Sequence, residues 1–219
     1  MNTEAGTVDR CSERGALTAR IRIALFVLVV NCQHLTPYPL ILPSASHPTF
    51  CPPDLMRVLG IDPGSTVTGY GVIVSHRGRL HMLDGGCIRT RSKDPMELRL
   101  EKIHRGLTDV LAKHTVDAVA IEAIFKHKSA ESALRLGQAR GVALLAIAQA
   151  GHEAHSYNPM TVKRTVGAHG RADKAAVAKM VGALLGEVPD GPADVTDALA
   201  IAITHVSHAR SRALMKAAR

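Results

Sequence analysis

From residue 56 onward the chain moves between two hydrophobic rhythms. Arg57–Asp62 is a short apolar run closed by one acid. Gly69–Ser75 and Leu80–Thr90 are two further extended runs, joined by His76-Arg77-Gly78-Arg79 as a hairpin turn. The period then lengthens. Met96, Leu100, Ile103, Leu107, Val110 and Leu111 recur at three- and four-residue steps, which predicts a helix from about Pro95 to His114. Asp117–Glu122 contains the continuous run Ala118-Val119-Ala120-Ile121 before its terminal acid, the pattern of a strand buried on both faces. A long Ala- and Leu-rich helix is expected from Ala130 to Ala150, then a short strand over Glu153–Tyr157. Asn158-Pro159 opens a helical turn through Val166, and Asp173 is a plausible N-cap for a helix to Leu185. After a turn at Pro189 to Pro192, a last helix runs from about Ala193 to His208. The order βββαβαβαα predicts an α/β fold: a mixed five-stranded sheet flanked by helices on both faces, with no internal repeat.

Residues 1–55 follow neither rhythm. They hold several prolines and no glycine after Gly15. Ile23–Val30 is an apolar run behind four arginines, in the manner of a signal peptide, but acids are mixed into the basic region and no small-residue cleavage site follows. The expectation is a disordered or non-native extension over 1–55, with Met56 the true start. A folded domain would then occupy 56–208 and a basic tail 209–219. No apolar run approaches the roughly 18 residues that span a bilayer.

Charge sharpens the picture. The net charge is +8, and the first 55 residues carry four arginines against four acids, so the whole excess lies beyond them. A basic folded domain favours a polyanionic partner such as nucleic acid. Cys11, Cys32 and Cys51 precede the domain and only Cys87 lies within it. That is neither a disulfide framework nor metal-ligand spacing, and it suits a reducing cytoplasm.

Acids stand where such a sheet would gather them. Asp62 ends the first strand and is followed at once by Pro63-Gly64, and Glu122 ends the fourth strand. If these strands are parallel neighbours, both carboxylates emerge at one edge. Asp194 and Asp197, three residues apart, share a face at the start of the last helix. Taken singly, Asp62 could cap a turn, Glu122 could be a solvated strand end, and the two aspartates could serve the helix dipole. Together they would repel one another unless a cation resolves the charge. Hard oxygen donors without a Cys or His cluster point to Mg²⁺ or Mn²⁺, and a pair of such ions suits phosphodiester cleavage. Asp62-Pro63-Gly64-Ser65-Thr66 also comes within one residue of the phosphate-cradling turns of actin-like ATP-binding proteins. That class needs two such domains and a longer chain. A nucleic-acid-binding module without catalysis is the other alternative, and the presence of all four acids weighs against it.

Residues 56–208 resemble the RuvC family of Holliday junction resolvases, within the ribonuclease H-like superfamily. The resemblance rests on Met56-Arg57-Val58-Leu59-Gly60-Ile61-Asp62-Pro63-Gly64 and on Ala120-Ile121-Glu122 with Phe125 three residues on. It continues through Ser132–Val142 and ends in Asp194-Val195-Thr196-Asp197-Ala198-Leu199-Ala200-Ile201-Ala202. It implies that Asp62, Glu122, Asp194 and Asp197 are catalytic metal-binding acids, holding two Mg²⁺ ions with Mn²⁺ able to substitute. It implies a homodimer that nicks four-way junction DNA on two opposed strands, leaving 5′-phosphate and 3′-hydroxyl ends, alongside the RuvA and RuvB branch-migration proteins. Phe125 would stack on an unpaired base at the junction centre. Lys163 and Lys174 match family positions implicated in DNA contact or catalysis, and Lys174 could offset phosphate charge. Lys126, Lys128, Arg171 and Arg164 are weaker candidates for phosphate contact. Gly137 and Gly141, four apart on the long helix, leave a smooth patch suited to a subunit interface or to close packing within the domain. The remaining histidines, His205 and His208 among them, read as structural.

Overall fold

The computed structural model describes residues 55–123, 129–167, 174–187, 189 and 191–218. Three strands open the fold: β1 Leu55–Asp62, β2 Val67–His76 and β3 Arg79–Arg89. They are followed by α1 Met96–Lys113, β4 Ala118–Glu122, α2 Ala130–Gln149 and β5 Ala154–Tyr157. Three helices complete it: α3 Pro159–Val166, α4 Lys174–Leu185 and α5 Ala193–Ala217. The sheet order is β3-β2-β1-β4-β5. β1 is antiparallel to β2 and β2 to β3, whereas β1–β4 and β4–β5 are parallel. The mixed five-stranded sheet is therefore as expected, and β1 and β4 are the parallel neighbours that the convergence of acids required.

The β2–β3 hairpin closes through Arg77 and Gly78, both at positive φ (46° and 86°), so its short turn follows the right-handed twist of the strands. Asn158 caps α3 by accepting from the Thr161 amide, with Pro159 at the first helical position. Asp173, expected as the cap of α4, lies outside the described residues. So does everything before residue 55, including the apolar run at Ile23–Val30.

Side chains alternate across the sheet, and the two faces have separate cores. Leu59 and Ile61 of β1, Val72 of β2 and Val119 and Ile121 of β4 pack under α1 and α2, against Ile103, Leu107, Ala143 and Ile147. Val58, Ile73, Ala118 and Ala120 point to the other side, where they meet α5 (Leu199, Ile201, Ala202) and the smaller α3 and α4. Burying strand residues on both sides explains why β4 reads as an unbroken apolar run.

Two differences from the sequence reading matter. α3 is a full helix, so three helices follow β5. And α5 continues past His208 to Ala217, so the stretch read as a tail is helical nearly to its end. Its residues, Ala209-Arg210-Ser211-Arg212-Ala213-Leu214-Met215-Lys216-Ala217, are mostly good helix formers with no Gly or Pro to stop them. Arg210 also ties this extension to the hairpin, donating to Ser75 Oγ at 2.9 Å.

Candidate active site

Alternation along β1 puts Val58, Gly60 and Asp62 on the α5 face; along β4 it puts Ala118, Ala120 and Glu122 there. Asp62 and Glu122 therefore emerge at the carboxyl ends of adjacent parallel strands and on the same side of the sheet. α5 completes the group from above. It can do so because the sheet beneath its first turns is made of glycine. A Cβ on Gly60 would stand 2.0 Å from the Ala198 carbonyl oxygen, and one on Gly69 would stand 2.1 Å from the Asp194 carbonyl oxygen. Gly69 is the register partner of Asp62. The same close approach that needs a bare backbone at Gly69 thus brings Asp194 and Asp197 over Asp62.

The electrostatics follow from this crowding. Burial drives the Asp62 pKa upward, and the carboxylates of Glu122, Asp197 and Asp194 push it further, to about 8, against a small opposing effect of Lys174. Glu122 is also raised, first by burial and then by Asp197, while its hydrogen bond with Asp62 and the charges of Lys174 and Lys163 draw it back. Asp62 holds a proton and shares it with Glu122, because two carboxylates this close cannot both ionise in a partly dry site. Lys174, at the start of α4, donates to Asp197 Oδ2 at 3.1 Å while remaining 77% exposed. Its own pKa is raised by that pairing. Lys163 of α3 is near enough to Glu122 to act on its ionisation.

Asp62, Glu122, Asp194, Asp197, Lys174 and Lys163 are thus brought together. Phe125, Lys126, Lys128 and Arg171 lie outside the described residues. Among the described residues no three acids are arranged as a ready-made cage for a cation. The donor chemistry nevertheless fits a hard divalent ion: oxygen ligands in excess negative charge, one of them pushed toward its protonated form and another paired with an exposed lysine. Occupancy would require the Asp62 proton to leave and the Lys174–Asp197 pair to loosen.

The Pro63-Gly64 turn is closed tightly on itself. A Cβ on Gly64 would lie 2.2 Å from the Val67 carbonyl oxygen, so the glycine is needed for the turn to close on itself. The Thr68 hydroxyl locks it by donating to the Gly64 carbonyl at 2.8 Å. Cys87, opposite Gly69 in β3, sits close enough to the acids for Asp194 and Asp62 to raise its thiol pKa, after the larger effect of burial. Only the strand pairing reveals that neighbourhood. His205 is 2% exposed and its Nδ1 lies 3.0 Å from the Tyr157 hydroxyl. Burial, with the nearby positive charge of His155, Arg212 and His208, presses its pKa down to about 4, as suits a neutral core group.

A sequence model described as "Crossover junction endodeoxyribonuclease RuvC" matches residues 58–205. The chain is 44% identical over 164 residues to a protein of that name from Azorhizobium caulinodans, covering 75% of this chain and 97% of that one. It is 46% identical over 164 residues to one from Geobacter sp. strain M21, covering 75% and 100%. Among solved structures it resembles Thermus thermophilus RuvC in complex with Holliday junction substrate, at 40% identity and a TM-score of 0.67, covering 71% of this chain and 96% of that one. The yeast mitochondrial resolvase Ydc2, at 13% identity and a TM-score of 0.52, shares the fold. With the match over residues 58–205, relatives at 44–46% identity and the shared fold in agreement, the chain belongs to the crossover junction endodeoxyribonuclease RuvC family.

Proposed function

We propose that this protein resolves Holliday junctions: a structure-selective endonuclease of recombination and repair that makes paired nicks, each leaving a 5′-phosphate and a 3′-hydroxyl. The observation that carries the reading is the convergence of Asp62, Glu122, Asp194 and Asp197 on one face at one sheet edge, strong enough to hold the Asp62 pKa near 8. Mg²⁺, with Mn²⁺ able to substitute and two ions per site, would be held by these four acids and would supply charge neutralisation at the scissile phosphate.

The chain's own residues do the rest. Asp62 gives up its proton as the site fills, and Glu122 keeps its orientation through the strand end. Lys174, free to swing because it is largely exposed, turns from Asp197 toward the phosphate and stabilises the developing charge. Lys163, with Lys126, Lys128 and Arg171, contacts the backbone of the DNA, and Phe125 stacks on a base opened at the crossover. The active unit is a homodimer working with RuvA and RuvB in the cytoplasm. Its nuclease domain runs from residue 56 through the end of α5 at Ala217, with residues 1–55 outside the working enzyme.

The test uses labelled four-way junction and linear duplex of the same sequence, with Mg²⁺ or with chelator. Paired nicks on the junction alone are expected, and Asp62→Asn should abolish cutting while binding survives. Metal-free cutting, or full activity in Asp62→Asn, would sink the mechanism.

A further inference from the structure

Two arginines hold the ends of the acid-bearing strands, and neither pairs with a carboxylate among the described residues. Arg99 of α1 is only 5% exposed. Its Nη2 and Nε donate to the Ser65 carbonyl at 2.6 and 3.1 Å, Nη2 also to Thr66 Oγ1 and Nε to Thr90 Oγ1, each at 3.3 Å. Thr90 finishes the clamp: its hydroxyl donates to the Ser65 carbonyl at 2.7 Å and its amide to the Thr66 carbonyl at 2.9 Å. Apart from the bond between Arg99 and Thr90 themselves, these contacts fall on Ser65 and Thr66, in the turn that follows Asp62. Arg140 of α2 does the corresponding work at β4. Its Nε donates to the Glu122 carbonyl at 3.0 Å and its Nη2 to Ser156 Oγ at 2.7 Å, so it joins the ends of β4 and β5.

Both arginines come from the helix layer opposite α5. The site is therefore built from three layers: the sheet supplies Asp62 and Glu122, α5 supplies Asp194 and Asp197, and α1 and α2 supply the guanidinium groups that fix the sheet's two acids from behind. We propose that Arg99 and Arg140 are positioning residues, which set where the Asp62 and Glu122 carboxylates stand when they receive a divalent cation. Arg99 is a buried cation whose partners are carbonyls and hydroxyls, a costly way to obtain stability alone, since an apolar side chain would fill the space at lower cost; Arg140 is half-buried, and its case rests on its two bonds across the strand ends. What the guanidinium provides is a rigid fork that holds several acceptors in fixed relative positions. Outer partners of metal ligands act in this way.

The inference rests on the nuclease reading for its kinetic test but not for its binding test. Arg99→Lys and Arg140→Lys keep the charge and lose the fork. Each is expected to leave the KM for junction within about two-fold and to lower kcat about 10- to 100-fold. Calorimetric titration with Mg²⁺ alone should show affinity weakened about 10-fold. Hydrogen exchange should quicken at the Thr90 amide in the Arg99 variant and at the Ala123 amide in the Arg140 variant. If Arg99→Lys does not fold, Thr90→Val removes one arm of the same clamp and should show the same split in milder form. Wild-type kcat and Mg²⁺ affinity in folded variants, with only the melting temperature lowered, would overturn the proposal. If the wild type fails to cut junctions, the function proposed above falls, and the Mg²⁺ titration still decides the role of the arginines.

Discussion

Asp62 keeps a proton at neutral pH because burial, and then the three other carboxylates, make its charge expensive. An acid whose folded pKa lies above its unfolded value binds its proton more tightly in the folded state. Its contribution to stability is therefore fully present below about 3.8 and is lost as pH rises to about 8. Above that both states are ionised and the loss is complete. Asp62→Asn keeps the shape and the ability to donate to Glu122, and cannot ionise. In the metal-free protein it should be more stable than wild type by about 1–3 kcal/mol at pH 8, with the gap closing toward pH 4. Denaturant melts at several pH values read this directly, and equal stability at pH 8 would show that the acids do not strain the site. Mg²⁺ should reverse the order, raising the wild-type midpoint and not that of the variant, since binding requires the ionised carboxylate. Loss of activity with gain of stability is the pattern of a site arranged for chemistry.

At the level of elements, the decisive contact is α5 laid on β1 and β2 without intervening side chains at Gly60 and Gly69. Gly69→Ala would drive its new methyl against the Asp194 backbone. The helix start must lift, carrying Asp194 and Asp197 away from Asp62. Overpacking of this kind costs about 1–3 kcal/mol, and the effect on cleavage should be larger in proportion, because a displacement near 1 Å can cost about 100-fold. The measurement is kcat at saturating Mg²⁺ beside the unfolding free energy; wild-type kcat in Gly69→Ala would show that the helix tolerates the shift. Much of this architecture was legible in the residues. The apolar runs placed the strands, the 3.6-residue period placed α1, and the turn at Pro189 to Pro192 placed the start of α5. The acids at Asp62, Glu122, Asp194 and Asp197 were findable because strands and helices end there. The glycine contacts, Cys87 beside the site and the Arg99 and Arg140 clamps were not. Each depends on which elements become neighbours, and an arginine or glycine carries no mark of its partner in the local sequence. The end of α5 was missed for the opposite reason: basic residues suggested a solvated tail, while Ala, Leu, Met, Lys and Arg are also good helix formers.

For the whole molecule the question is how one site per chain yields paired nicks. The face of α2 turned away from the core supplies a candidate answer. Leu134, Gly137, Gly141 and Leu145 follow one another at steps of three and four, so they form a single stripe. Leu134 is 64% exposed and Leu145 51%, and among the described residues a Cβ on Gly141 would meet nothing within 4 Å. Packing among the described residues therefore does not require the glycine at 141, and a second copy of α2 crossing there would. Leu145→Glu and Gly141→Arg place charge on this stripe without touching the core or the acids. Each should convert the proposed homodimer to a folded monomer in sedimentation, with the melting midpoint measured at high dilution little changed. A monomer keeps its four acids and its lysines, so it should still bind a junction, more weakly. It should produce single, uncoupled nicks at a rate far below that of the wild type. Binding by both forms should weaken as salt rises, because the net charge of +8 lies wholly beyond residue 55 and phosphate contacts release counterions. The dimer, with twice the contacts, should show the steeper slope in log affinity against log salt. Dimers that persist in both variants would move the interface off this stripe, and equal slopes for monomer and dimer would mean that only one subunit engages the DNA.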